Sequence, residues 1–166
     1  MDFKSYSQIA QDKWVYEQLV LGRGITRGTF LDVGCNDPMS ISNTYALEQL
    51  GWTGILMDSS NALCQKCREQ RTSRVIETDC TTFDFRTIKA HYDYLSLDID
   101  DGQVKSCERI LEAGISFTLA TVEHDSYRVG EVPKAKLREM LLGAGYRIWP
   151  YDLEQHFYED WWFKNP

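Results

Sequence analysis

The chain has 166 residues, 43% of them hydrophobic and 13% aromatic, enough for one domain around a single buried core. A formal net charge of −7 argues against nucleic acid or an anionic membrane as partner, since both require a basic surface. No apolar run reaches the length of a membrane helix. The start, Asp2-Phe3-Lys4-Ser5-Tyr6-Ser7, lacks the apolar centre of a signal peptide, so a cytoplasmic location is expected.

In chain order, residues 8–21 read as an amino-terminal helix with Ser7 as cap, a stripe of Ile9, Trp14, Val15 and Leu19, and stops at Gly22 and Gly24. Residues 28–166 read as a sheet core. Its crossover helices are 43–50, 61–70 after the cap Ser60, 103–113 and 133–144, with Gly51, Gly114 and Gly145 as stops and Pro133 as a start. Beyond Gly145, residues 146–150 read as a short strand, 151–155 as a turn and 156–164 as an aromatic-rich final strand. No helix fits between these two strands, so they should be antiparallel. The basic stretch Arg68 to Arg74 reads as a solvated helix end. Cysteines 35, 64, 67, 80 and 107 read as reduced, buried small hydrophobes; Cys64-Gln-Lys-Cys67 has no second pair to complete a zinc site.

Between the helices lie five apolar runs, each with a carboxylate at or near its downstream end: Asp32, Asp58, Asp79, Asp98 and Glu123. They are separated by 26, 21, 19 and 25 residues, room each time for one strand and one crossover helix. In a parallel sheet all five acids gather on the edge where open α/β sheets bind ligands. An acidic edge suits a cationic ligand or a metal and suits a pyrophosphate badly. The turn Asp32-Val33-Gly34-Cys35-Asn36-Asp37-Pro38-Met39 agrees. Asn36 and Met39 stand where a dinucleotide site carries glycines, and Pro38 removes an amide. Asp58, 24 residues beyond Gly34, is placed to accept both hydroxyl hydrogens of a ribose, with Ser59 beside it, and Asp79 to accept from an adenine amine. Together these describe an adenosine without phosphates, joined to a positively charged sulfonium.

Several words of the sequence carry a resemblance: Ser7-Gln8-x-x-Gln11-Asp12, Phe30-Leu31-Asp32-Val33-Gly34-Cys35-Asn36-Asp37, Ser42-Asn43-Thr44-x-x-Leu47-Glu48, Gly51-Trp52-x-Gly54-Ile55-x-x-Asp58, Asp93-Tyr94-Leu95-Ser96-Leu97-Asp98-Ile99-Asp100 and Val122-Glu123-His124-Asp125. In this order they resemble the FkbM family of class I S-adenosylmethionine-dependent methyltransferases. The resemblance implies a Rossmann-like, doubly wound α/β fold with a seven-stranded sheet, mostly parallel with an antiparallel last strand. It also implies methyl transfer to a hydroxyl of a small-molecule or glycan acceptor. Two positions depart from the family pattern: Ala10 where glycine is common, and Asp98-Ile99-Asp100-Asp101-Gly102 where Asp-x-Glu-Gly is common. With little sequence outside the core, the acceptor site is open, shared with another subunit of a homo-oligomer, or built from the amino-terminal helix.

The expected cofactor residues are Asp32, Gly34, Asn36, Asp58, Ser59, Asp79 and Asp98. For catalysis His124 is the expected base, with Glu123 and Asp98 beside it; Asp98, Asp100 and Glu123 are an alternative set for a divalent metal ion. Plainer readings stand beside these: Asp58 as a helix cap, Asp79 as a turn residue, Glu123 and His124 as a satisfied strand-end pair, Trp161 and Trp162 as packing. At the level of the protein, the alternatives to a methyltransferase are a non-catalytic binding or scaffold protein with the same fold, and a metal-dependent hydrolase.

Overall fold

The structure is a computed structural model that describes residues 3–150 and 158–164. Its elements are α1 (Gln11–Val15, continued by a π-helical turn Tyr16–Leu21), β1 (Thr29–Val33), α2 (Tyr45–Gln49), β2 (Thr53–Asp58), α3 (Asn61–Gln70), β3 (Arg74–Glu77) and β4 (His91–Leu97), the last preceded by a 3-10 turn at Phe85–Thr87. There follow α4 (Gln103–Glu112), β5 (Ser116–Glu123), α5 (Ser126–Val129), α6 (Glu131–Gly143), β6 (Arg147–Ile148) and β7 (Glu159–Phe163). The seven strands form one sheet in the order β3-β2-β1-β4-β5-β7-β6. Strands β1 to β5 pair in parallel, and β7 is antiparallel to both of its neighbours, so it alone runs against the rest. The expected turn at 151–155 and the first two residues of the expected last strand lie outside the described residues.

Sheet and helices bury each other on two faces. On one, Leu31, Val33, Leu95 and Leu97 pack with Cys107 and Ile110 of α4 and Leu137 and Leu141 of α6. On the other, Phe30, Leu56, Tyr94 and Trp161 pack with Trp14, Val15 and Leu19, with Leu47 of α2 and with Cys67 of α3. The inner strands are therefore buried on both sides, as parallel strands between helix layers must be. Trp161 and Trp162 belong to this packing.

The amino-terminal helix starts three residues later than expected, because residues 5–9 are used differently. Asp12 is fully buried and accepts from Ser5 Oγ at 2.5 Å, the Tyr6 amide at 2.8 Å and Ser7 Oγ at 2.6 Å. It ties that segment down as a strap, and Ser7 forms a parallel bridge with Ile41. The corner between strap and helix is Ala10, at φ 66°. This is the position where the FkbM pattern carries glycine, and a left-handed turn is where an L side chain is strained. Helix α5, a single turn between β5 and α6, is an element that the sequence reading did not include.

Arg71, expected on a solvated face, is buried. It leaves the end of α3 and reaches under the β1–α2 loop, donating to Glu48 Oε1 at 3.1 Å, the Pro38 carbonyl at 3.1 Å, Ser42 Oγ at 3.4 Å and Thr44 Oγ1 at 3.1 Å. Glu48 also accepts from the Thr72 and Ser73 amides and from Ser73 Oγ. Each guanidinium nitrogen and each carboxylate oxygen of the pair has a partner, which is the condition under which a buried ion pair is tolerated.

Two stability outcomes follow. Arg71→Met leaves Glu48 buried without its counter-charge and should cost about 3–5 kcal/mol in urea unfolding; a loss below 1 kcal/mol would contradict the network. Ala10→Gly should stabilise by about 0.5–1 kcal/mol, where glycine in an ordinary helix costs that much. A lowered melting temperature would contradict the strain at Ala10.

Candidate functional site

The strand order reverses between β1 and β4, and a cavity of about 790 Å³ opens there at the carboxyl ends of the strands. Its volume is in the range of small-molecule sites, roughly 300–1,000 Å³. All seven expected cofactor residues, Asp32, Gly34, Asn36, Asp58, Ser59, Asp79 and Asp98, line it. The parallel register explains this: Asp32 faces Ser96 across β1–β4, Asp58 ends β2, and Asp98 directly follows β4.

Gly34 turns at φ 90°, and a Cβ there would meet the Asp98 carbonyl oxygen at 1.8 Å. Only glycine lets the chain cross that strand end. The amides beyond it are used within the protein. Those of Gly34 and Cys35 donate to the Met57 carbonyl at 2.8 and 3.0 Å, that of Asn36 to Asp58 Oδ2 at 3.1 Å, and those of Met39 and Ser40 to Asp37 Oδ1. The turn therefore does not present the amide array that holds a pyrophosphate.

Asp32 is buried and accepts from Thr44 Oγ1 at 2.5 Å; Thr44 in turn accepts from Arg71. Burial pushes its pKa up to about 6 despite these contacts. Asp58 is half-buried, with Asn36 on one oxygen and the Ser60 amide on the other at 2.8 Å, so its orientation is set before any ligand arrives. Asp79 is exposed, and its Oδ1 accepts from the amide and hydroxyl of Thr81, which holds its pKa below the usual range. The turn reading of Asp79 is thus correct, and the residue still lines the cavity.

Glu123 ends β5 at the cavity wall, within hydrogen-bonding reach of Asp98 and Asp125. Burial first, then the Asp98 charge, pushes its pKa up to about 9. A carboxyl so placed keeps its proton at neutral pH beside Asp98, whose pKa burial also raises. Arg128 of α5 holds the third acid, Asp125, through Nε at 2.9 Å, and it also donates to the Asp100 carbonyl.

Two expectations are corrected. His124 is not among the residues lining the cavity. It is buried on the other side of the chain, its Nδ1 accepting from the Ser126 amide at 3.2 Å and its Nε2 lying 4.0 Å from Asp160 Oδ1. Burial lowers its pKa to about 4. Strand alternation is the reason: Glu123 and His124 point opposite ways, and the His124 amide still pairs with the Tyr158 carbonyl, so the chain has not yet left the sheet. The metal set fares similarly. Among the described residues no group of three or more His, Cys, Asp or Glu is arranged to hold a metal ion. At Asp98 and Glu123 the raised pKa values let a retained proton offset the repulsion between the two carboxyls.

Some lining residues were not assigned to the site from sequence. Gln8 and Ile41 come from the strap and its bridge partner, and Asn43 from the loop before α2. Asn43 is buried, donates to Ser96 Oγ at 3.1 Å and leaves Oδ1 without a partner within the protein. The words Ser7-Gln8 and Ser42-Asn43-Thr44 carried the only signal for them.

No family model matches the sequence, and no curated protein matches it. Solved structures do match. The magnesium protoporphyrin IX methyltransferase of Synechocystis PCC 6803, with SAM bound, superposes with a TM-score of 0.63 at 14% identity, covering 94% of this chain and 78% of its own. A TehB-like SAM-dependent methyltransferase from Corynebacterium glutamicum gives 0.65 at 13%, covering 95% and 89%. The SAH-bound Podospora anserina methyltransferase PaMTH1 gives 0.66 at 13%, covering 96% and 80%. The chain has the fold of class I S-adenosylmethionine-dependent methyltransferases. Within that fold, and among the described residues, the lining carries seven carboxyls (Asp32, Asp58, Asp79, Asp98, Asp100, Asp101 and Glu123) and no lysine, arginine or histidine. Among the described residues no helix is long and apolar enough to cross a membrane.

The raised acids set a pH dependence. A carboxyl whose folded pKa lies above its unfolded value binds more protons in the folded state, so its contribution to stability is complete below the unfolded value. That contribution is lost as pH rises toward the folded value. With Glu123 near 9 and Glu159, also raised by burial, near 8, the ligand-free protein should lose stability between about pH 5 and 9. Glu123→Gln should flatten this slope and gain about 1–2 kcal/mol over the wild type at pH 8. Urea unfolding at several pH values checks it, and parallel curves for the two proteins would contradict the retained proton.

Proposed function

We propose that this protein is a methyltransferase that uses S-adenosylmethionine, and that it belongs with the FkbM-like members of that fold. The observation that carries the reading is the cavity itself. In a fold shared with methyltransferases, it places a preoriented carboxylate at the end of β2, surrounds the ligand with acids, and keeps the turn amides for the protein. A doubly charged pyrophosphate is repelled by such a wall, whereas an adenosine bearing a sulfonium and an ammonium group is attracted. The unpartnered Asn43 carbonyl oxygen suits a donor of the ammonium kind. Ala10 stays a departure from the FkbM pattern, at a left-handed turn that glycine would hold without strain.

In this reading Asp58 accepts from the ribose hydroxyls, Ser59 and Asn36 flank it, Gly34 permits close backbone approach, Asp79 faces the adenine end, and Asp32 and Asp98 the amino-acid end. Bound S-adenosylmethionine would supply an electrophilic methyl carbon on a sulfonium. The chain's part is then to orient the acceptor and to take its proton. Glu123 and Asp98 stand at the cavity wall for the second task, in place of His124. Their pair carries one proton in the ligand-free state, and the positive charge of the cofactor favours its release, leaving a carboxylate to receive the acceptor's proton. A hydroxyl of a small molecule or glycan remains the acceptor that the sequence resemblance supports.

Calorimetry tests the reading. The wild type should bind S-adenosylmethionine and its demethylated product, and should show no heat with NAD. Asp58→Ala should weaken S-adenosylmethionine about ten- to a hundredfold, or about 1.5–3 kcal/mol, with an unchanged circular dichroism spectrum. Equal affinity in the variant would remove Asp58 from the site. Binding without methyl transfer to any hydroxyl acceptor would favour a non-catalytic binding protein.

A further inference from the structure

Two thiols without a part in the proposed transfer face each other behind the cofactor turn. Cys35 follows Gly34 and lines the cavity, whereas Cys67 sits on α3, fully buried. They are 32 residues apart in sequence, and their sulfurs are 3.9 Å apart. Cys67 Sγ also lies 3.6 Å from the Asn36 carbonyl oxygen, so it touches the turn at two places. The amide of Asn36 is one of the two that orient Asp58. The sulfur pair and the proposed ribose carboxylate are thus joined through a single residue.

We propose that Cys35 and Cys67 are a redox modification site, at which a peroxide forms a reversible disulfide that disables the cofactor cavity. The consequence for binding rests on the cofactor reading above; the bond itself does not. A sulfur–sulfur bond is about 2.05 Å long, so closing it draws the two atoms together by roughly 2 Å and pulls the turn toward α3. The Asn36 amide moves with the turn, and Asp58 loses part of its support.

The chemistry balances with one peroxide. The Cys35 sulfur, reached through the cavity, passes its proton to the Cys67 sulfur it contacts and attacks a peroxide oxygen; the O–O bond breaks, and the departing hydroxide takes that proton as water. The Cys67 sulfur then attacks the Cys35 sulfenic acid, forming the S–S bond and releasing a second water. Two thiols are oxidised by two electrons, and one hydrogen peroxide is reduced. A dithiol reverses the step. Because Cys35 forms part of the cavity wall, a bound cofactor covers the route of the oxidant and should slow the reaction. Cys64, in contrast, points its sulfur at the Asp58 carbonyl 3.5 Å away and is not the partner.

The test treats the reduced full chain with equimolar hydrogen peroxide, alkylates the remaining thiols and maps peptides without reduction. The expected product is a Cys35–Cys67 cross-link, two hydrogens lighter than the thiol pair and removed by dithiothreitol. It should form at least fivefold more slowly when S-adenosylhomocysteine is present. Calorimetry on the cross-linked protein should show at least tenfold weaker S-adenosylmethionine binding, restored on reduction. Cys67→Ala, after the same peroxide treatment, should keep the affinity of the reduced wild type, with Cys107→Ala as a control that still cross-links. A map with other cysteine pairs or over-oxidised thiols and no Cys35–Cys67 bond overturns the proposal, and so does a cross-linked protein that binds as tightly as the reduced one. If the reduced protein shows no S-adenosylmethionine binding, the cofactor reading fails, and the peptide map still decides whether the bond forms.

Discussion

The close crossing of Gly34 over the Asp98 carbonyl oxygen is the constraint on which the rest of the site depends. A Cβ at that crossing would lie 1.8 Å from the oxygen, so no other residue can hold the turn there without moving β1 or β4. Because the turn passes so close, the amides of Gly34 and Cys35 reach the Met57 carbonyl of β2, and that of Asn36 reaches Asp58. The cavity opens beyond this turn, at the point where the strand order reverses. One contact between two backbones thus fixes both the location of the site and the carboxylate at its centre.

Electrostatics then select what the site can hold. Seven carboxyls around one cavity would repel each other strongly if all were ionised, and the structure relieves this in three ways. Glu123, its pKa raised to about 9 by burial and the Asp98 charge, keeps its proton at neutral pH. Arg128 ties the acidic loop after β4 to Asp125. Behind the wall, Arg71 polarises Thr44, which donates to Asp32. The remaining field is negative and favours a cation, while the turn amides are already engaged. A site of this kind rejects phosphates by charge and geometry together.

The amino-terminal strap completes the enclosure. Asp12 gathers the hydroxyls and amide of residues 5–7, so that Gln8 reaches the cavity and Ser7 bridges to Ile41. A polar residue with no exposure is costly unless its bonds are made, and those of Asp12 are made with the strap. Gln11 extends the arrangement to β7 by donating to the buried Glu159 at 3.2 Å. The strap is therefore anchored to β7 at the residue that pairs with Glu123.

The sequence by itself determined the α/β class, the strand-end acids and the absence of a phosphate cradle. Each of these follows from local pattern: strand length and crossover spacing force parallel pairing, and parallel pairing puts Asp32, Asp58 and Asp98 on one edge. Helix α3 matched its expected bounds, because the Ser60 cap and the apolar spacing are local as well. Tertiary structure alone decided what neighbours across the sheet do. The position of His124 depended on whether the chain leaves β5 one residue earlier or later, and the pairing of its amide with Tyr158 settles that in favour of the sheet. Arg71 looked solvated because its partners, Glu48 of α2 and Thr44 at the start of that helix, lie more than 20 residues away in sequence. The Cys35–Cys67 contact and the burial of Glu123 beside Asp98 were invisible for the same reason. Side-chain distances across a fold are set by packing, and no one-dimensional spacing encodes them.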